Sequence, residues 1–102
     1  MFRQGDVLLV PVDSMPAGQP ITPEGGRLVL AHGELTGHHH SVAVEDAELV
    51  EAAEGVFLRI MASTPLVHQE HGAITLEPGV YRVLRQREYA PGAAHRLVGL
   101  LD

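Results

Sequence analysis

Short apolar stretches separated by turn residues follow one another along the whole chain. The first is the β-branched run Asp6–Val12, which predicts a strand buried on both faces, with Pro11 at its end or at a sheet edge. Stretches of similar length and composition occupy residues 27–31, 34–45, 48–51, 55–62, 64–68, 73–76 and 80–89. About eight short strands with turns between them predict an all-β fold, a small barrel or sandwich.

Two segments depart from this pattern. Residues 14–26 contain three prolines and three glycines, so we expect a long loop there. Near the C-terminal end, Pro91 and the spacing of Leu97 and Leu100 favour a helix, whereas Gly92 and Gly99 favour a strand or an irregular tail. Since no repeat or low-complexity block divides the chain, residues 1–102 are predicted to form a single domain.

The composition narrows the classes of partner. With 45% hydrophobic residues but only four Phe and Tyr and no Trp, the core must be built from aliphatic side chains, and a homo-oligomer would add burial. A net charge of −6, with seven Arg and no Lys, argues against broad binding to nucleic acid. The absence of cysteine excludes disulfides and thiolate ligands. No signal-peptide pattern or membrane-length apolar run occurs, so a cytoplasmic location is expected.

Histidine is the residue type that points to chemistry in this sequence. Five of the seven histidines fall in two short stretches, Thr36-Gly-His-His-His-Ser-Val42 and Leu66-Val-His-Gln-Glu-His-Gly72. Imidazole is the commonest metal ligand in proteins and exchanges protons near neutral pH. The clusters therefore indicate either a metal site or an acid/base site.

The strand parity of the first stretch favours a metal. Alternate residues of a strand face opposite ways, which places His38 and His40 on the same face as Val42 and Val44. We therefore expect both imidazoles to point inward, where an unpaired polar group costs about 1–3 kcal/mol. One divalent metal would satisfy both rings, whereas a polar loop tip is the alternative interpretation of the triplet.

The second stretch supplies further ligands. His68 and His71 lie three residues apart, and a turn at Gln69-Glu70 would direct at least one of them to the metal. Such a site keeps open coordination positions, as in catalytic zinc or, with a carboxylate, in non-haem iron or manganese centres. Among the nearby carboxylates Glu34, Glu45 and Glu70, we expect Glu70 to orient a ligand or act as general base.

These residues resemble the cupin family, in which a His-x-His strand, a Glu and a later histidine hold a metal inside a small β-barrel. Gly33, His38, His40 and Glu45 are similar to the first cupin motif, and Gly72 with Pro78-Gly79 to the second. Arg82 stands where the second motif has a histidine, so the resemblance implies that His68 or His71 supplies that ligand. The chain also resembles small bacterial proteins with Thr-Gly-His-x-His and His-x-Glu-His motifs, a likeness that implies no function.

A second candidate site lies in the last predicted strand. Arg85, Arg87 and Tyr89 share one face of it, and guanidinium groups grip phosphate or carboxylate bidentately. The alternative, which we favour, is a solvated face paired with nearby glutamates.

Three functions follow from these expectations. The first is a cupin-like metalloenzyme acting on a small molecule, with Glu70 transferring the proton. The second is a non-catalytic, metal-stabilised oligomerisation or interaction module, with the apolar strand at residues 7–12 as its interface. The third is a metal-free phosphodiesterase or ribonuclease with paired histidines and Arg85 or Arg87 on the phosphate.

Overall fold

A computed structural model of the protein describes residues 1–32 and 37–86. Within these ranges the elements are ten β-strands and one short 3-10 helix. They are β1 (Phe2–Gln4), β2 (Val7–Val12), β3 (Gln19–Pro20), β4 (Arg27–His32), β5 (His39–Ala43), the 3-10 helix (Val44–Asp46), β6 (Ala47–Ala52), β7 (Gly55–Ile60), β8 (Thr64–Leu66), β9 (Ile74–Leu76) and β10 (Gly79–Arg85). The predicted all-β class is confirmed.

The largest sheet has six strands in the order β1-β2-β10-β7-β6-β3. All the pairs in it are antiparallel. Strand β1 covers β2 only from Val7 to Leu9, so Pro11 lies beyond the end of β1 and removes no hydrogen bond on that side. The order ends at β1 and β3, so the described strands form an open sheet and do not close into a barrel.

The other four strands form a second layer. Strands β4 and β5 pair with a bulge between Val29 and Ala31, and β8 pairs with β9. An isolated bridge joins the two pairs, since Ser41 and Val67 exchange both backbone hydrogen bonds at 3.0 Å. The strands of this layer therefore follow the order β4-β5-β8-β9.

Side chains from both layers meet in one hydrophobic core. Its fully buried members include Leu9 and Leu58 of the large sheet and Val42, Leu66 and Leu76 of the second layer. This continuous cluster joins the two layers, whose strands come from distant parts of the chain.

The structure differs from the predicted elements in several places. Strand β1 was not predicted. In the predicted stretch 34–45 the strand begins only at His39, so His38 precedes β5, and its side chain is 29% exposed. Two residues within the predicted loop 14–26 form β3, which pairs with β6. Strand β5 ends at Ala43, and the chain turns into the 3-10 helix, so Val44 is exposed although its parity predicted an inward position. The predicted C-terminal helix or strand at residues 91–101 lies outside the described residues. No helix in the part of the chain that the structure describes is long and apolar enough to cross a membrane.

Candidate functional site

Four of the histidines lie together where several strands end. We call His38, His40, His68 and His71 the histidine cluster. The ring centre of His68 is 4.4 Å from that of His40, 4.6 Å from that of His71 and 5.6 Å from that of His38. The cluster is formed by the start of β5 and the connection between β8 and β9, so the fold joins the two histidine stretches of the sequence.

His40 is the buried member of the cluster. It shares the core-facing side of β5 with Val42, and its side chain is only 3% exposed. The Gln4 amide holds its ring, because Gln4 Nε2 donates to the carbonyls of Leu66 and Gly72 while Gln4 Oε1 lies 2.9 Å from His40 Nδ1. Oε1 must accept, so Nδ1 carries the proton and His40 Nε2 keeps its lone pair.

The lone pair of His40 faces a carboxylate. Asp6 Oδ1 lies 3.6 Å from His40 Nε2, and the Asp6 side chain is 15% exposed. The other carboxylate oxygen, Oδ2, accepts hydrogen bonds from Arg85 Nε and Nη2 at 2.9 and 2.6 Å. Arg85 therefore fixes the carboxylate so that one oxygen is directed towards the imidazole.

The surroundings of His40 keep its ring neutral. The pKa of His40 is lowered to about 4, first by burial and then by the neighbouring His68, whereas Asp6 raises it. His71 and Arg85 also lower this pKa. At pH 7 the site thus contains a neutral imidazole nitrogen that faces a carboxylate oxygen, and both atoms are electron-pair donors.

His68 has a structural role in the turn that follows it. Its Nδ1 accepts hydrogen bonds from the backbone N–H groups of Glu70 and His71 at 3.0 and 3.3 Å. The neutral ring therefore holds its proton at Nε2. Burial and the adjacent His71 and His38 lower the pKa of His68, which preserves this protonation state.

His71 packs against the turn between β1 and β2. Gly5 has a φ of +57° at the first central position of this two-residue turn, and a Cβ there would lie 2.7 Å from His71 Nε2 and 3.3 Å from His40 Cε1. The absence of a Cβ at Gly5 thus allows the His71 ring to pack directly against the turn, next to His40.

Of the other predicted site residues, His38 and Glu70 lie at the exposed edge of the cluster, Glu45 lies elsewhere, and Arg85 contacts Asp6. His38 Nδ1 is 3.4 Å from Oε1 of Glu70, whose side chain is 62% exposed. Glu45 is exposed in the 3-10 helix beyond the far end of β5. Arg85 is engaged with Asp6 and with the carbonyl of His32. Glu34, Arg87 and Tyr89 lie outside the described residues.

The side chains of the histidine cluster lie close to one another but are not arranged around a common point. Among the described residues, no three histidine, aspartate or glutamate side chains are placed to hold a metal ion as they stand. One reason is His68, whose Nε2 carries the proton because its Nδ1 serves the turn. Coordination through that nitrogen would require the two backbone hydrogen bonds to break.

Sequence reasoning did not identify Gln4 and Asp6 as site residues. They lie at least thirty positions before the first histidine stretch, in a segment where only the apolar pattern of β2 carries a signal. Gly5 and Asp6 form the turn of the β1–β2 hairpin, which was not predicted. No local pattern indicates which distant strand this turn contacts.

An all-β domain with a buried histidine-carboxylate arrangement at one end is the class that this fold and site define. The chain belongs to the family described as Domain of unknown function (DUF8820), whose match covers residues 3–86. No curated protein and no solved structure matches it. The matched range includes the histidine cluster together with Gln4, Asp6 and Arg85, so the whole site lies within the family's domain.

Proposed function

We propose that this domain binds one divalent metal ion at the histidine cluster, with His40 and His71 as histidine ligands and Asp6 as the carboxylate. The observation that carries this proposal is the approach of His40 Nε2 to Asp6 Oδ1 at 3.6 Å in a largely buried place. Two electron-pair donors without a proton between them repel each other. A cation between them removes that repulsion.

The distance between His40 Nε2 and Asp6 Oδ1 supports the proposed metal site. Ligand atoms about 2.0–2.1 Å from a zinc ion lie roughly 3.0–3.4 Å apart, so the two atoms need only a small approach. Gln4 already holds the His40 ring through Nδ1–H, and Arg85 already holds the carboxylate, as outer partners of metal ligands do. Two histidines and one carboxylate suit zinc, iron(II) or manganese and keep positions for water or a small molecule.

The function that follows is polarisation of a small molecule or water by the bound metal, the chemistry of a metalloenzyme. Glu70 lies beside His38 at the exposed edge of the cluster, where it would exchange protons with solvent. The cupin resemblance and a homo-oligomeric state remain predictions from the sequence. For the architecture we propose a small sandwich, because both layers contribute to one core.

Metal analysis of untagged protein tests this proposal. After dialysis against zinc, manganese or iron(II), we expect about one equivalent of one metal by elemental mass spectrometry, and almost none for His40→Ala. His32→Ala is the matched control, since the His32 side chain is 57% exposed, pairs with Glu24 and is not a member of the cluster. It should keep the full metal content.

A second variant separates lost ligation from lost folding. Asp6→Asn keeps the size of the side chain and removes the anionic ligand, so it should weaken metal binding while circular dichroism shows the strand content unchanged. Equal metal content in the wild-type protein and in both variants would overturn the proposal.

A further inference from the structure

A cavity lies on the other side of β5 from the core. It has a volume of about 280 Å³. Residues Arg27, His39, Ser41, Val67, His68 and Gln69 line it. His39 and Ser41 alternate with the core-facing His40 and Val42, so this cavity and the buried imidazole of His40 are on opposite faces of the same strand. His68 lines the cavity and is also a member of the histidine cluster.

Arg27 is held firmly at this cavity. Its Nε donates to the hydroxyl of Ser41 at 2.7 Å and its Nη2 to the carbonyl of Ser41 at 3.1 Å, and Ser41 itself is 1% exposed. These bonds use two of the five N–H groups of the guanidinium. The long side chain is therefore already ordered, and little further entropy is lost when a ligand binds to it.

The charge of Arg27 is not neutralised within the described chain. No aspartate or glutamate of residues 1–32 and 37–86 forms an ion pair with it, and the nearby Glu24 pairs with His32 instead. In a protein with a net charge of −6, a half-buried guanidinium without a carboxylate partner is unusual. An anion from outside the chain would complete it.

We infer that this cavity binds a small organic monocarboxylate, with its carboxylate on Arg27 and its apolar part against Val67 and the faces of the histidine rings. Planar carboxylates match the guanidinium fork. Arg27 is the only permanently charged cation among the lining residues, so it balances one negative charge rather than the −1.5 to −2 of a phosphate. The side-chain amide of Gln69, which also lines the cavity, is fixed by hydrogen bonds to the backbone and ring of His39.

This inference goes beyond metal binding and does not depend on it. If the cluster holds a metal as proposed, His68 connects the two sites, because it lines the cavity and its ring contacts that of His40. The test is therefore made on metal-free protein, so that its outcome is independent of the metal analysis.

Benzoate, acetate and inorganic phosphate are the probes, each titrated into ¹⁵N-labelled, EDTA-treated protein and followed by heteronuclear NMR. We expect benzoate to shift the signals of Arg27 Nε and of the Val67 and Gln69 amides saturably, and to bind more tightly than acetate or phosphate. Arg27→Gln should weaken benzoate binding by at least about tenfold, because a charge-assisted hydrogen bond is lost. Arg59→Gln is the matched control, since Arg59 pairs with Glu48 on another surface.

If Arg27→Gln does not fold, Arg27→Lys provides a second variant that keeps the positive charge. It should also lower the affinity for benzoate, because lysine lacks the planar pair of N–H donors of the guanidinium. Absence of a saturable benzoate shift in the wild-type protein would overturn the inference. Equal benzoate affinity in the Arg27 and Arg59 variants would also overturn it, and tighter binding of phosphate than of benzoate would exclude the monocarboxylate class.

Discussion

At the scale of single residues, Gln4 determines the tautomer of His40. One amide side chain, 3% exposed, connects β1 to the carbonyls of Leu66 and Gly72 and to the imidazole. Because its nitrogen is committed to the two carbonyls, its oxygen fixes the tautomer of His40. The lone pair at Nε2 is thus a consequence of a hydrogen-bond network, and a metal would use a ligand that is already oriented.

The low pKa of His40 makes stability depend on pH. Burial and the neighbours His68, His71 and Arg85 lower this pKa to about 4 against the opposing effect of Asp6, whereas in the unfolded chain it is 6.5. The folded state therefore favours the neutral ring, its stabilisation is complete above pH 6.5, and it is lost as the pH falls towards 4. Between pH 7.5 and 4.5 this contribution is on the order of 2–3 kcal/mol.

Urea denaturation of EDTA-treated protein at these two pH values measures this effect. We expect the wild-type protein to lose about 2–3 kcal/mol more than His40→Gln over the interval, since the variant lacks the titrating group. Substitution His32→Gln should leave the loss as it is in the wild-type protein. An identical pH dependence for all three proteins would contradict a depressed pKa at His40.

At the scale of elements, the turn between β1 and β2 shapes the site. Gly5 allows His71 to rest on the turn, and Asp6 directly follows it and carries the carboxylate. Strand parity correctly predicted an inward His40 and Val42, because period-2 alternation is a local property. The parity of Val44 was predicted incorrectly, because the chain leaves the strand after Ala43, and no local pattern marks that exit.

Two glycines with the same backbone conformation allow the effect of backbone strain to be measured apart from the effect of a clash in the site. Gly5 and Gly25 both have a φ of +57°, but a Cβ at Gly25 meets nothing within 4 Å. Alanine at either position should cost about 1–2 kcal/mol of folding free energy, the cost of a left-handed backbone for a residue with a Cβ. Only Gly5→Ala should also displace His71 and weaken metal binding, since its Cβ would lie 2.7 Å from His71 Nε2.

Calorimetric metal titration together with the NMR signals of the histidine rings checks this difference. The expected result is wild-type metal affinity for Gly25→Ala and lower affinity for Gly5→Ala at similar stability. If both variants keep the wild-type affinity, the packing of His71 against Gly5 is not needed for metal binding.

At the scale of the whole molecule, the sequence predicted the strands better than their arrangement. The apolar runs mark most strands because burial and alternation are local. The site needs Gln4, His40, His71 and Arg85 to meet, and they come from the first, middle and last parts of the described chain. Such a meeting depends on strand order and on the bridge between Ser41 and Val67, neither of which a local pattern encodes.

The shared core predicts that both layers unfold together. Leu58 of the large sheet and Leu66 of the second layer are each 0% exposed and belong to one hydrophobic cluster. Replacing either by alanine removes buried methyl groups and leaves a cavity, so each should lower the free energy of unfolding by about 2–5 kcal/mol. Val44→Ala, at a position that is 36% exposed, should change it by no more than about 0.5 kcal/mol.

Urea unfolding followed in parallel by circular dichroism and by tyrosine fluorescence measures these values, in a Tyr89→Phe background that makes Tyr81 the only tyrosine of the chain. Tyr81 lies in β10 within the shared core, and circular dichroism reports the strands of both layers. Coincident single transitions are expected for the wild-type protein and for each variant, because neither layer can bury its apolar face without the other. If Leu66→Ala produced an early transition in circular dichroism while the Tyr81 signal stayed native, the second layer would unfold separately. The histidine cluster would then lose β5 and the β8–β9 connection before the large sheet opens, and metal binding would stabilise the second layer alone.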